Sequence, residues 1–309
     1  MSFSYSVKKE LCSLIEDTEQ KYSCFYGMLL FCKQFTPDMI IFQTENDITA
    51  ELFCKLADDI LFDKKVVTVV KNEKKNKVIL YSLSIEQEHH RDKIIYLYHI
   101  SSRKIIHRIQ WDIINQNNML SFIAGAFLSC GSITEPLKEY HLEMVIPYSQ
   151  LCEDVTALMQ SIDINFKHTE RKGMDILYLK ESEQIEDFLT SMGATMSSIE
   201  LMNVKIYKDV RNKANRIANC DAANIERTLI ASENQIKDIE YIATTVGLNY
   251  LSKELQNIAE VRMEYPECSL REIGEMLDKP LGRSGANHRL RRISEIAEEL
   301  REKKEKSNE

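Results

Sequence analysis

Apolar and polar positions in the first two thirds of the chain follow the same order twice. Apolar residues at helical spacing predict helices, and runs that alternate with polar residues predict strands. The first round predicts a short helix at 8–15, helices at 22–35 and 47–62, and strands at 38–44, 66–70 and 78–83, the last two joined by the polar turn 71–77. The second round predicts helices at 118–130, 149–162 and 183–192, and strands at 140–146, 165–170 and 175–180. The repeated order predicts an internal duplication.

The last third has a different pattern. From Ala222 onward only helices are predicted, separated by Pro266, Pro280 and glycines. We therefore expect a boundary near 219–222. The predicted divisions are a first half at 1–110, a second half at 111–204, a linker at 205–221, a C-terminal domain at 222–303 and a charged tail at 304–309.

Composition excludes several classes of protein. The formal net charge is −8, and no apolar run is long enough to span a membrane, the longest candidate being 122–128. The N-terminus has no continuous apolar segment of the kind that a signal peptide needs, so a cytoplasmic location is expected. The eight cysteines form no C-x-x-C pair and have no accompanying histidine cluster, which predicts reduced, mostly buried thiols. Neither a metal nor another cofactor is expected.

A helix-turn-helix motif is predicted at about 269–302. Ser269 and Glu272 have the spacing of a capping box, and the helix that they begin is interrupted at 278–282. Ser284 is predicted to cap a second helix that continues toward Leu300. On this second helix one apolar stripe is predicted at Ala286, Leu290, Ile293, Ala297 and Leu300.

The polar side of the second helix is basic. From Lys279 to Arg292 there are five cationic side chains and no acid. An N-terminally basic second helix is typical of DNA-reading geometry, whereas a solvated face on an ordinary bundle helix is the alternative. Base contacts are predicted for Asn287, His288 and Arg291, and His288 could equally contact phosphate. The predicted DNA-binding residues are Lys279, Arg283, Ser284, Asn287, His288, Arg289, Arg291 and Arg292.

The segment 205–227 is a second candidate surface. Its candidate residues are Arg211, Asn212, Arg216 and Asn219, which offer cationic and amide donors. An interdomain linker whose polar residues pack against either domain is an equal alternative.

Two predicted helices carry a glycine among bulky apolar residues, at Gly27 and Gly125. A glycine within a helix costs about 1 kcal/mol relative to alanine, which suggests a packing reason. These segments resemble the two central helices of the LAGLIDADG homing endonucleases, where each helix ends in an acid that holds a catalytic divalent metal. Aligned on the glycines, those positions are Cys32 and Cys130, and neutral thiols are poor ligands for magnesium. The nearest acids, Asp38 and Glu135, come several residues later. The resemblance therefore implies a scaffold without catalytic or metal-binding residues.

The whole chain resembles a narrower family, the bacterial WhiA proteins. The resemblance lies in FIAGAFLSCGSITEP at 122–136, YHLE at 140–143, RNKANRIANCDAAN at 211–224 and SGANHRLRR at 284–292. It implies an α+β fold, namely a duplicated LAGLIDADG-like αββαββα body followed by an all-α helix-turn-helix domain. It also implies a non-enzymatic, nucleoid-associated protein that binds double-stranded DNA, with roles in transcription regulation, sporulation, cell division or chromosome segregation. Cys130 departs from the small residue, often glycine, that is expected there.

Two other functions remain open from the sequence. One is a metal-dependent endonuclease, which would need a metal site that the sequence does not reveal. The other is a scaffold that binds a partner protein through the N-terminal body, which the net acidity of the chain favours modestly. For any of these functions a monomer suffices, because a duplicated body carries its own pseudo-twofold symmetry within one chain.

Overall fold

A computed structural model describes residues 2–74, 77–100 and 107–306. The chain forms two compact units, Met1–Asp209 and Val210–Glu309. Residues 75–76 of the predicted turn and 307–309 of the predicted tail lie outside the described residues. The predicted domain limits stay predictions.

The first unit contains two halves with the same strand order. The first half has α1 (Phe3–Leu14), α2 (Thr18–Leu30), β1 (Gln34–Phe35), β2 (Ile40–Thr44), α3 (Asp47–Leu61), β3 (Thr68–Glu73), β4 (Ile79–Ile85) and α4 (Glu88–Leu97). The second half has α5 (Met119–Cys130), β5 (Gly131–Ile133), β6 (Leu142–Ile146), α6 (Ser149–Gln160), β7 (Lys167–Arg171), β8 (Met174–Leu179) and α7 (Ser182–Ser191). The antiparallel sheets run β1-β2-β4-β3 and β5-β6-β8-β7, which confirms the predicted duplication.

Each sheet buries one face against helices. In β6, the predicted alternation is confirmed because Leu142, Met144 and Ile146 are buried and the residues between them are not. In β2 the buried residues include Phe42, whose ring stacks on Phe53 of α3 with the centroids 4.6 Å apart. Alternation of this kind fixes the strand register, because a slip by one residue would expose the apolar set.

The helices α2 and α5 pack against each other at the centre of the first unit, and both glycines lie in their contact. A Cβ added to Gly27 would lie 2.3 Å from the carbonyl oxygen of Phe122, and one added to Gly125 would lie 2.0 Å from that of Cys24. No larger side chain fits at such distances without a backbone shift. The packing reason that the sequence suggested for these glycines is therefore present.

Some element boundaries differ from the predicted ones. The helix predicted over 22–35 ends at Leu30, and β1 follows it. The helix predicted over 8–15 begins at Phe3, because the Ser2 side chain accepts a hydrogen bond from the Tyr5 backbone and caps it. The helix α4 was not predicted, since its polar residues mask the helical period of its buried side chains.

The remaining elements are helical, as predicted. The helix α8 (Thr195–Thr245) contains the whole predicted linker 205–221, and the division between the two units falls within it. A short 3₁₀ turn at Leu248–Tyr250, α9 (Lys253–Glu264), α10 (Leu270–Glu275) and α11 (Arg283–Lys306) follow. In the second unit a separate core joins α9, α10 and α11, and its buried side chains include Ile258, Ile273, Leu277, Leu290 and Ile293.

Candidate nucleic-acid interface

The turn between α10 and α11 is fixed by its own backbone. The Leu281 amide donates to the Gly274 carbonyl at 2.9 Å. A Cβ at Gly274 would lie 2.2 Å from the Leu281 carbonyl oxygen, so this position requires glycine. At the start of α10, the Ser269 amide donates to Glu272 Oε2 at 2.8 Å and the Glu272 amide donates to Ser269 Oγ at 3.4 Å, which confirms the predicted capping box.

The helix α11 divides into a buried stripe and an exposed polar face. The predicted stripe residues Ala286, Leu290, Ile293 and Ala297 are buried, and Leu300 is half-buried. The opposite face is solvent-exposed. It carries Ser284, His288, Arg291 and Arg292, which are exposed. Asn287 beside the stripe and Arg283 at the first position of the helix are also exposed, as is Lys279 in the preceding turn. Because Ser284, His288 and Arg291 follow helical spacing, they form one row along this face.

Arg289 differs from the other predicted DNA-binding residues. Its Nη2 lies 3.0 Å from Glu254 Oε2 on α9, and only 19% of its side chain is exposed. This ion pair directs Arg289 toward α9, away from the row of Ser284, His288 and Arg291. The partnership could not be predicted from spacing, because Glu254 comes from another helix.

Arg291 and Arg292 both contact Glu295, the first acid after the basic stretch from Lys279 to Arg292. Arg291 Nε lies 3.5 Å from Glu295 Oε1, and Arg292 Nη1 lies 2.9 Å from Glu295 Oε2. The hydrogen bond from Arg292, together with the positive charges of Arg292 and Arg291, lowers the pKa of Glu295. The exposed fractions of the side chains are 77% for Arg291, 50% for Arg292 and 42% for Glu295. Ion pairs with this access to solvent contribute about 0.2–1 kcal/mol, so phosphate oxygens can compete for both guanidinium groups.

Ser284 does not have the capping role that the sequence predicted. The helix α11 begins at Arg283, and the Ala286 amide donates to the Gly282 carbonyl at 3.1 Å. This bond places Gly282 at the N-cap and Ser284 within the first turn. Ser284 is exposed there, close to the unpaired amides at the helix N-terminus, which attract anions.

The second candidate surface lies on an exposed stretch of α8. Arg211, Asn212, Arg216 and Asn219 are all exposed. At about 100° per residue, Asn212, Arg216 and Asn219 share one side of the helix, whereas Arg211 lies about a quarter turn away. Exposed apolar side chains occupy the other side: Ile206, Val210 and Ile217. The structure thus brings three of the four predicted residues onto one face.

The two cysteines at the LAGLIDADG-like positions are protonated thiols at neutral pH. Burial raises the pKa of both Cys32 and Cys130 to about 12. Cys32 Sγ lies 3.0 Å from the Gln34 carbonyl oxygen, to which it donates, and Lys8 Nζ donates to the Leu128 carbonyl at 3.1 Å near the end of α5. Protonated thiols are poor ligands for a hard divalent cation.

Elsewhere in the described ranges, two groups of three side chains bring potential metal-ligating atoms within 4.8 Å of one another. They are Asp63 with His89 and His90, and Cys152 with His168 and Asp175. Neither group includes Cys32 or Cys130. Of the acids that follow α2 and α5, Asp38 is exposed, and Glu135 accepts a hydrogen bond from the Phe3 amide at 3.4 Å. Within 2–74, 77–100 and 107–306, no helix is both long enough and apolar enough to cross a membrane.

Two protein-family descriptions match the chain. Residues 119–211 match the WhiA LAGLIDADG-like domain, and residues 214–297 match the WhiA C-terminal HTH domain. The second match covers every candidate interface residue from Lys279 to Arg292.

Full-length relatives are similar along nearly the entire chain. The probable cell division protein WhiA of Clostridium botulinum is 38% identical, over 98% of this chain and 99% of its own length. The probable cell division protein WhiA of Ruminiclostridium cellulolyticum is 39% identical, over 97% and 98%. The crystal structure of full-length WhiA from Thermatoga maritima has a TM-score of 0.56 at 25% identity and covers 97% of this chain and 99% of that one.

Proposed function

The chain belongs to the WhiA family, and from this premise we propose that it is a DNA-binding regulator that does not cut DNA. Its target is double-stranded DNA, and its setting is the nucleoid within the cytoplasm. The regulated processes are transcription, cell division or chromosome segregation. The name shared by its relatives, probable cell division protein, supports the second of these.

The observation that carries the proposal is the exposed, acid-free face at the start of α11. This face follows a tight turn after α10, and in helix-turn-helix proteins the helix after the turn enters the major groove with its N-terminal residues against the bases. Asn287 can bind adenine through two hydrogen bonds and Arg291 can bind guanine in the same way. Lys279, Arg283 and Arg292 are suited to phosphates. The α8 residues Asn212, Arg216 and Asn219 are a second candidate contact.

Paired arginine variants test this assignment. Genome-wide crosslinking supplies bound duplexes, and fluorescence anisotropy then measures their affinity for each variant. Arg291→Ala is expected to weaken binding about 5- to 150-fold, because one good bidentate base contact contributes about 1–3 kcal/mol. Arg289→Ala is expected to change affinity less than about threefold, since Arg289 pairs with Glu254. Lys303→Ala, an exposed position at the far end of the same helix, is the matched control.

If Arg291→Ala and Lys303→Ala lost the same affinity for the duplex, the DNA would not contact the exposed row of Ser284, His288 and Arg291. A larger loss in Arg289→Ala than in Arg291→Ala would show that Arg289 leaves Glu254 to bind DNA, and would contradict the assignment of the exposed row.

The absence of cleavage is tested separately. Supercoiled plasmid incubated with the full chain and Mg²⁺ is expected to stay intact, because the protonated thiols of Cys32 and Cys130 stand at the aligned metal-ligand positions. Nicking that EDTA abolishes would mean that other residues hold a catalytic metal.

A second candidate function is favoured by charge. Residues 1–209 account for −7 of the net charge of −8, and cations on the second sheet are paired with acids, as in Arg171–Glu143 at 3.2 Å. An acidic body is poorly suited to nonspecific contact with DNA and could instead bind a basic partner protein. A pull-down that compares the full chain with variants of its α11 face tests this, because a body partner should be retained when DNA binding is lost.

A further inference from the structure

Three side chains from separate elements of the second half meet at one point. They are Cys152 on α6, His168 on β7 and Asp175 on β8, and their ligand atoms all lie within 4.8 Å of one another. The strand register brings the last two together. Glu170 pairs with Asp175 and His168 pairs with Leu177, so His168, Asp175 and Leu177 point to the same face of the hairpin. Leu177 and Leu179 on this face are both buried, and α6, which carries Cys152, packs against β8.

The carboxylate of Asp175 is already oriented. Its Oδ1 lies 2.7 Å from His168 Nε2, and its Oδ2 accepts a hydrogen bond from Ser149 Oγ at 2.7 Å. A second hydrogen bond of this kind is what fixes a metal-ligating carboxylate in one orientation. Cys152 is 6% exposed, whereas 53% of the His168 side chain is exposed. The cluster therefore has a buried thiol on one side and access from solvent on the other.

We propose that Cys152, His168 and Asp175 bind one divalent transition-metal ion of the zinc type, with a fourth coordination position open to solvent. Sulfur, imidazole nitrogen and one carboxylate oxygen form a mixed donor set that suits zinc or cobalt and does not suit magnesium or calcium. Three protein ligands and an open position are the arrangement in which such an ion keeps a bound water.

The required movement is small. Tetrahedral zinc with its usual bond lengths needs ligand atoms about 3.4–3.6 Å apart. The observed separations range from 2.7 Å between His168 Nε2 and Asp175 Oδ1 to an upper limit of 4.8 Å, so the first pair must open by about 0.7 Å and the widest must close by about 1 Å. His168 can supply both by rotating because its side chain is exposed. Asp175 can stay in place, held by Ser149.

Metal binding and loss of the Cys152 proton are coupled, because the thiolate is the form of cysteine that binds a metal. When the ion binds, its charge stabilises the thiolate, a sulfur–metal bond forms, and the thiol proton is released to solvent.

Cobalt substitution provides a direct test on the full-length protein. The protein is dialysed against a chelator, transferred to chelator-free buffer and titrated with Co²⁺ while the thiolate-to-cobalt charge-transfer absorption is recorded. We expect this absorption to saturate at one equivalent of Co²⁺ and to disappear when Zn²⁺ is added. Cys152→Ser should abolish it, and His168→Ala and Asp175→Asn should each weaken Co²⁺ binding at least about tenfold.

Two cysteine variants serve as matched controls. Cys220→Ser removes an exposed thiol on α8, and Cys54→Ser removes a half-buried thiol on α3, so both should keep the absorption. The group at Asp63, His89 and His90 contains no sulfur and cannot produce this signal. Circular dichroism shows whether Cys152→Ser is folded. If it is not, the Co²⁺ affinity of His168→Ala tests the proposal instead, because the His168 side chain is exposed and its removal should not disturb folding.

Three results would overturn the proposal. They are no charge-transfer absorption in the wild-type protein, an absorption that survives in Cys152→Ser, and Co²⁺ affinity unchanged in both His168→Ala and Asp175→Asn.

Discussion

Gly27 and Gly125 determine how closely the two central helices of the body approach. Alanine at either position would put a methyl group 2.3 Å or 2.0 Å from a carbonyl oxygen of the facing helix. Neither oxygen can move without shifting its helix backbone, and overpacking in a core typically costs about 1–3 kcal/mol, occasionally more. We therefore expect Gly125→Ala to lower the free energy of unfolding of the body by about 1–3 kcal/mol or more, measured by urea denaturation followed by circular dichroism, which reports the helices of both units.

Gly282→Ala is the control for this prediction. A methyl group there has open space among the described atoms, and the backbone is not in the left-handed region. Its cost is expected to be about 1 kcal/mol or less, the range for alanine at an N-cap. A Gly125→Ala protein as stable as wild type would mean that α2 and α5 pack less closely than described.

At the scale of the element, α10 and α9 begin in different ways. The Ser269 side chain makes a reciprocal capping box with Glu272, whereas Ser252, the N-cap of α9, makes no side-chain capping hydrogen bond. Ser269→Ala should therefore destabilise the C-terminal unit by about 1 kcal/mol (range 0.5–2). Ser252→Ala should change it by less than about 0.5 kcal/mol. Thermal unfolding followed by circular dichroism distinguishes the two, and equal effects would contradict the role of the capping bond.

These elements also show what a sequence can predict. The capping box, the stripe from Ala286 to Ala297 and the strand β6 were predictable because local hydrogen bonding and periodicity determine them. The continuity of α8 was not, since its exposed stretch has the polar composition of a linker. Two tertiary contacts also could not be predicted, because each joins elements that are separate in the sequence. They are the pairing of Arg289 with Glu254 and the cluster of Cys152, His168 and Asp175.

At the scale of the molecule, net charge is unevenly distributed. Residues 210–309 carry a net charge of −1 and residues 1–209 carry −7. Within the C-terminal unit, the exposed cations Lys279, Arg283, Arg291 and Arg292 lie in a stretch that contains no acid. Phosphate binding depends on such local charge, so an acidic protein can still bind DNA through one face.

This distribution predicts how binding responds to salt. If Lys279, Arg283 and Arg292 neutralise phosphates while Arg291 contacts a base, the logarithm of the binding constant should fall with the logarithm of salt concentration with a slope of about −3. Arg283→Ala should reduce the magnitude of the slope by about 1 and weaken all duplexes equally, because its position at the start of α11 suits a phosphate contact. Lys303→Ala should leave the slope unchanged. Fluorescence anisotropy across a series of KCl concentrations measures all three proteins. A slope near zero in the wild-type protein would exclude phosphate contacts by this face, since their counterions would have to be released.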